Sequence, residues 1–236
     1  MEKELHNLFF IKKEQINNSK IILTGPEFHH IKNVMRKKSG EMVYFTDGNG
    51  NQYKVEIEQT LNNAMVMRIL EERIIPQEKL INLDLGLVLL KTGRTDFIIE
   101  KGTELGVRRF IFFTSQYSVI RNLNQPRLEH FRKIALASML QSQQYYLPEI
   151  TFSEDITKEF VNYDIIIVGD KQGKDKIKPG IKNILLLIGP EGGFSPEEID
   201  KFNKNDVKFV SFGSNRLRSE TAALAGIVTI TSYYAM

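Results

Sequence analysis

The chain has 236 residues, a formal net charge of +3, 42% hydrophobic and 26% charged residues, and no cysteine. That composition suits a soluble globular protein of one large domain or two modest ones, and it excludes disulfides, thiolate zinc sites and cysteine nucleophiles. Its longest apolar runs fall well short of the ~20 residues that span a bilayer, and MEKELHNLFF lacks signal-peptide architecture, so a cytoplasmic protein is expected.

Residues 1–74 read as short strands: Leu8–Ile11, Lys20–Thr24, Met42–Thr46, Tyr53–Glu58 and Met65–Leu70 are β-rich runs bounded by turn residues. Asp47-Gly48-Asn49-Gly50 is a hairpin signal, because these residues tolerate positive φ. One helix interrupts the strands, with Pro26 in its first turn and Phe28, Ile31 and Met35 at helical spacing. This pattern predicts a small β-barrel over 1–74, followed by a linker at Ile75-Pro76-Gln77-Glu78-Lys79. Residues 1–74 carry 11 basic and 10 acidic side chains, 75–150 carry 10 and 7, and 151–236 carry 11 and 12. No segment is a basic tail, so the local cluster Arg36-Lys37-Lys38 is the suggestive feature for nucleic acid.

From residue 80 the rhythm changes. Apolar strands at Ile81–Leu90, Phe110–Thr114, Ile165–Val168, Ile184–Ile188 and Val207–Phe212 alternate with helical stretches at Thr95–Leu105, Arg127–Gln144, Pro196–Asn203 and Glu220–Tyr234. Near-continuous apolar strands alternating with helices predict an α/β domain over 75–236, with a parallel sheet covered on both faces.

Three of these strands run into glycine, at Val168-Gly169, Ile188-Gly189 and Phe212-Gly213, and open α/β sheets bind ligands beyond such strand ends. In ILLLIGPEGGFSPEEID, Ser195, Pro196 and Glu198 form a capping box, which needs no functional explanation. Capping does not explain Gly189, Gly192 and Gly193, which let backbone approach a flat ligand. No dinucleotide or P-loop motif is present; Gly169-Asp170-Lys171-Gln172-Gly173-Lys174 is a near miss. Glu191 in the turn suits a neutral or cationic ligand, of which S-adenosylmethionine is one. Arg216, Arg218 and Glu220 follow the third glycine, and the small residues Ala222, Ala223, Ala225 and Gly226 permit close packing of the last helix. His6, His29, His30 and His130 lack metal-ligand spacing, no metal is expected, and Tyr145 and Tyr146 read as core or surface.

IGPEGGFSPEEID followed by FGSNRLRSETAALAGI resembles the signature pair of the SPOUT-class methyltransferases, and more narrowly of the bacterial enzymes that methylate N3 of a uridine in small-subunit ribosomal RNA. HHIKNVMRKKSGEMVYFTDGNG resembles their PUA-like RNA-binding barrel, and LKTGRTDFIIEKGTELGV the opening of their catalytic domain. The resemblance implies a trefoil-knotted sheet, S-adenosylmethionine as cofactor, ribosomal RNA or the small ribosomal subunit as partner, and a homodimer. It places cofactor contacts at Val168, Leu187, Ile188, Gly189, Gly192, Phe212, Gly213 and Leu217. Arg218, Glu220 and Thr221 fall beside the transferred methyl; Arg94 and Glu104 face the substrate, and Arg36, Lys37, Lys38 and Arg216 face RNA. Ser115-Gln116-Tyr117-Ser118 and Leu140-Gln141-Ser142-Gln143-Gln144 depart from the family pattern, with neutral side chains where it carries charges. The alternatives are a related enzyme acting on transfer RNA, a non-catalytic RNA-binding protein of this fold, and a nucleotide-dependent α/β enzyme.

Overall fold

The computed structural model describes residues 7–77, 80–90, 93–177 and 180–235. His6, Glu78, Lys79, Lys91 and Thr92, named in the sequence reading or contained in its motifs, lie outside these. The chain divides into two compact units, Met1–Gln77 with Met139–Leu147, and Glu78–Ser138 with Pro148–Met236. The division after residue 77 falls inside the segment 75–79 expected as a linker, and residues 139–147 return to the first unit.

In the first unit β1 (Leu8–Phe10), β2 (Ile16–Asn17), β3 (Lys20–Leu23), β4 (Met42–Thr46), β5 (Asn51–Thr60) and β6 (Met65–Ile74) form one sheet in the order β1-β4-β5-β6-β3-β2. Only the β1–β4 pair is parallel. Alternate residues of these strands meet in a single core of Phe9, Ile21, Leu23, Phe45, Val55, Ile57, Met65 and Met67 with others, so the sheet curls around it. Each large apolar side chain buried there stabilises the unit by about 1.5–3 kcal/mol.

Asn18 and Ser19 both have positive φ between β2 and β3, the requirement of a tight hairpin turn. β5 and β6 outrun their apolar patterns because Glu71–Ile74 continue the ladder opposite Asn51–Lys54. α1 (Gly25–His29) carries Pro26 in its first turn as expected, but passes into a π-turn over His30–Val34 that buries Ile31. Tyr145 and Tyr146 anchor the returning segment to the hairpin loop. The Tyr145 carbonyl accepts from the Gly50 N–H at 2.8 Å, and its hydroxyl accepts from Gln52 Nε2 at 2.6 Å. A side chain on Gly50, whose φ is +92°, would collide with the Tyr146 ring.

The second unit holds β7 (Asn82–Val88), α2 (Arg94–Glu104), β8 (Arg109–Phe113), α3 (Gln125–Gln141), β9 (Glu149–Ser153), β10 (Ile165–Gly169), β11 (Asn183–Ile188), α4 (Pro196–Asn203), β12 (Lys208–Val210) and α5 (Ser219–Ala235). The last residues of α3 group with the first unit. All six strands are parallel, in the order β12-β10-β11-β7-β8-β9. β7, β10 and β11 are buried almost throughout, as a sheet covered on both faces requires. The edge strands β9 and β12 are partly exposed; β9 lacks an apolar run and escaped the sequence reading, and β12 is shorter than expected. From β7 the chain builds outward through β8 and β9, then crosses to build β10, β11 and β12 on the other side. The strand order therefore reverses between β7 and β11, and ligands of open α/β sheets bind at the carboxyl side of such a switch point.

α5 packs on β10, β11 and α2. A Cβ on Gly226 would lie 2.8 Å from Leu186 Cδ2 and 2.9 Å from Phe212 Cε2, so Gly226 serves close packing within the unit. In the second unit Asp84 is fully buried and accepts from Arg108 Nε at 2.8 Å, Arg108 Nη2 at 2.7 Å, Arg109 Nε at 3.2 Å and the Tyr163 hydroxyl at 2.6 Å. Arg109 Nη2 also donates to Glu159 Oε2 at 2.9 Å, so two guanidiniums balance two carboxylates. Burial, and then the bond to Asp84, push the Tyr163 hydroxyl well above the usual phenol range. Among the described residues no helix is long and apolar enough to cross a membrane.

Candidate active site

Two loops meet at the carboxyl side of the switch point: the turn after β11 and the segment between β12 and α5. The Ser219 hydroxyl donates to the Gly189 carbonyl at 3.0 Å, and Arg216 Nη2 donates to the Glu191 carbonyl at 2.9 Å. α2 adds Arg94, which pairs with Glu191 and has its Nε 3.6 Å from Glu220 Oε1. Arg94 thereby bridges the turn and the first residues of α5.

The glycines separate into those the fold demands and those it does not. Gly193 has φ +76°, a left-handed conformation that disfavours a side chain. A Cβ on Gly189 would press on the Phe194 ring at 3.0–3.3 Å, and one on Gly169 would meet Ile188 Cδ1 at 2.9 Å. Gly173, in the near miss to a phosphate loop, lies against backbone: its Cβ would sit 2.5 Å from Phe209 C and O, so packing accounts for it. Gly192 and Gly213 are different. Their Cβ atoms would find only ordinary contacts, with Tyr117 at 3.6 Å and Leu217 at 3.5 Å, and neither has positive φ. At these two positions neither packing nor backbone conformation requires glycine.

The expected cofactor residues fall into two sets. Val168, Leu187 and Ile188 are buried at the ends of β10 and β11. Gly189, Gly192, Phe212, Gly213 and Leu217 lie in the two loops. Gly213 stands three residues past the end of β12 rather than at a strand end, with Ser211 Oγ donating to its carbonyl at 3.0 Å.

Arg218 precedes α5 with an exposed side chain; its carbonyl accepts from Ala222 N–H at 2.8 Å. Among the described residues its guanidinium has no hydrogen-bond or ion-pair partner. Thr221 is exposed one turn further in. The Glu220 side chain is 15% exposed, and its Oε2 is buried without a hydrogen-bond partner. Leaving a carboxylate oxygen so costs free energy unless a ligand supplies the missing donor.

Four of the expected site residues have partners within the protein. Arg216, expected to face solvent or RNA phosphate, is exposed and also donates to the turn at Glu191. Arg94, expected to face the substrate, is engaged by Glu191 and Glu220. Glu104 pairs with Lys101 at 2.8 Å at the other end of α2, about 15 Å along the helix from Arg94 at 1.5 Å per residue. In the first unit Arg36 and Lys38 are exposed, but Lys37 Nζ is paired with Glu41 Oε1 at 2.9 Å, which lowers the cluster's effective charge.

Three participants went unrecognised. Glu198 caps α4 as foreseen, accepting from Ser195 N–H at 2.8 Å, but its other oxygen accepts from Gln116 N–H at 3.1 Å and tethers the loop after β8. Phe194 backs Gly189 and stacks on Phe113 with centroids 6.3 Å apart. Ser219 ties the two loops together. Their signals were confounded with capping and core packing. His130 Nε2 lies 3.0 Å from Asp96 Oδ2, and among the described residues no cluster of three or more His, Cys, Asp or Glu is arranged to hold a metal.

The family model described as the RNA methyltransferase domain matches residues 76–231, and that described as the RNA methyltransferase PUA domain matches 23–62. A protein of Bacillus subtilis named ribosomal RNA small subunit methyltransferase E is 27% identical, over 94% of this chain and 95% of its own. Its namesake in Mesomycoplasma hyopneumoniae is 29% identical, over 92% and 95%. A solved structure from Porphyromonas gingivalis, described as a probable rRNA-methyltransferase, superposes with a TM-score of 0.80 at 25% identity, covering 97% of this chain and 98% of that one. The Neisseria gonorrhoeae methyltransferase E, solved with S-adenosyl methionine, shares the fold at a TM-score of 0.83 and 22% identity, over 97% and 98%.

Proposed function

The chain belongs to the RNA methyltransferase domain family, and we propose that it methylates N3 of a uridine in small-subunit ribosomal RNA with S-adenosylmethionine as donor. The observation that carries the proposal is the pair of glycines, Gly192 and Gly213, bare for no reason of folding, beside a buried carboxylate oxygen without a partner. Backbone exposed at a strand-end turn fits a flat, phosphate-free adenosine. The names and the near full-length match of the relatives support the ribosomal substrate. A cytoplasmic site of action, a homodimer and the knotted path belong to the same proposal. The dimer draws no support from Gly226, which packs inside the unit.

S-adenosylmethionine supplies, when bound, a methyl group activated by a sulfonium. The protein's task is to present uracil N3, which lies on the pairing edge, so the base must be unpaired or flipped out. N3 carries a proton that is lost as the methyl arrives, and negative charge develops on the flanking carbonyl oxygens. The free guanidinium of Arg218 is suited to stabilise that charge. Glu220 Oε2 is suited to accept the N3 proton or to orient the base, with Arg94 holding the other oxygen side of the carboxylate.

Calorimetry on glycine variants tests the cofactor assignment. Gly192→Leu should fold with little change in melting temperature and lose S-adenosylmethionine binding, because a Cβ there meets only ordinary contact with Tyr117. Gly189→Leu should lose both binding and stability, since it must displace Phe194. The parent should bind neither NAD nor ATP comparably. Parent-like S-adenosylmethionine binding by Gly192→Leu, or tight NAD binding by the parent, overturns the assignment.

A further inference from the structure

The segment after β8 carries an exposed aromatic ring on an unusually well-tied backbone. Ser118 Oγ accepts from Ser115 N–H at 2.8 Å, and Ser118 N–H donates to the Ser115 carbonyl at 3.0 Å. Gln116 N–H is held by Glu198 Oε1, its carbonyl accepts from Arg121 Nη2 at 3.3 Å, and Thr114 Oγ1 donates to the Arg121 carbonyl at 3.3 Å. Tyr117 stands on this frame 48% exposed. The near side of its ring rests against the Gly192 turn, with Cβ, Cγ and Cδ2 3.6–3.7 Å from where a Gly192 Cβ would be. Among the described residues no other ring and no hydrogen-bond partner meets it.

A large aromatic surface held out to water on a rigid frame at the edge of a ligand-binding turn is what a stacking platform requires. Its rotational freedom is already restricted, so little further ordering opposes binding. The residues beside it, Ser115, Gln116, Ser118 and Val119, are uncharged, and Arg121 is tied back to the loop, so this surface does not suit a phosphate. It suits the π-face of a base. We propose that Tyr117 is a positioning residue that stacks on a nucleobase of the RNA substrate and holds the strand over the Gly192 turn. This rests on the RNA methyltransferase function proposed above.

The chain has no tryptophan, so Tyr117→Trp would carry the sole indole fluorophore. Its emission should be quenched by a single-stranded RNA oligonucleotide containing uridine, and far less by S-adenosylmethionine alone. In steady-state methylation of unmodified small ribosomal subunits, Tyr117→Ala should raise KM for the subunit about 5- to 150-fold, the range for losing one stacked base, with kcat within a few-fold. Tyr117→Phe should restore KM, and the S-adenosylmethionine Kd should be unchanged in both. A merely structural ring would move melting temperature and kcat instead. An unchanged KM in Tyr117→Ala, or quenching by S-adenosylmethionine as strong as by RNA, overturns the inference while leaving the parent's methylation intact. A parent that methylates no RNA overturns the proposed function and this inference with it.

Discussion

Arg218→Ala should bind S-adenosylmethionine nearly as tightly as the parent, while single-turnover methylation falls about 10²–10³-fold, as for removal of a donor to a developing oxyanion. The side chain is exposed at the start of α5, makes no hydrogen bond or ion pair among the described residues, and stands two positions from the half-satisfied Glu220. No described residue bonds to it, so its loss should leave the fold intact. Arg216→Ala should behave differently, because Arg216 holds the Glu191 carbonyl: it should loosen the turn and weaken cofactor binding before it affects the saturated rate. Glu220→Gln separates two roles. A proton acceptor would lose a pH-dependent limb of the rate profile, whereas an orienting group would lower the rate at every pH. If Arg218 only solvates the helix start, Arg218→Ala would melt slightly earlier and methylate within a few-fold of the parent, and its catalytic assignment would fall.

Asp84→Ala should destabilise the second unit by about 3 kcal/mol, in the range for removing one partner of a buried ion pair. Deletion leaves Arg108, Arg109 and the Tyr163 hydroxyl facing a vacated site between β7 and β8. The lower part of that range applies because Arg108 is 39% exposed and water screens it. At roughly 2–4 °C per kcal/mol for a domain of this size, the thermal midpoint should drop by about 6–12 °C. The network lies toward the amino side of the sheet, in the first half of β7, away from the turn after β11, so the cofactor affinity of the folded fraction should hardly change. A midpoint shift under 2 °C would show that the four groups do not act as a unit.

How much of this was legible depended on whether local pattern or distant partners decided each feature. α4 was predicted to the residue, because Ser195, Pro196 and Glu198 specify a helix start without tertiary help. The buried strands β10 and β11 were plain for a similar reason: burial on both faces leaves only apolar residues. β9 and the polar end of β6 were invisible, since backbone pairing rather than side-chain pattern holds them. The three glycine loops were seen, but not which glycines matter. Gly173 and Gly189 are explained by Phe209 and Phe194, and only Gly192 and Gly213 are left to a ligand. The charge argument from Glu191 was incomplete, because its counter-ion Arg94 comes from 97 residues away in the chain. Tyr117 looked like a departure from a pattern; its position beside Gly192 is a tertiary fact.

The central claim is methylation of uridine N3 in small-subunit ribosomal RNA, and mapping the modified position tests it most directly. Unmodified small ribosomal subunits incubated with the protein and labelled S-adenosylmethionine should take up label, and reverse transcription should then halt beside one uridine, because a methyl at N3 blocks base pairing. Label without a halt, as a ribose methyl would give, or label confined to transfer RNA, would contradict the account.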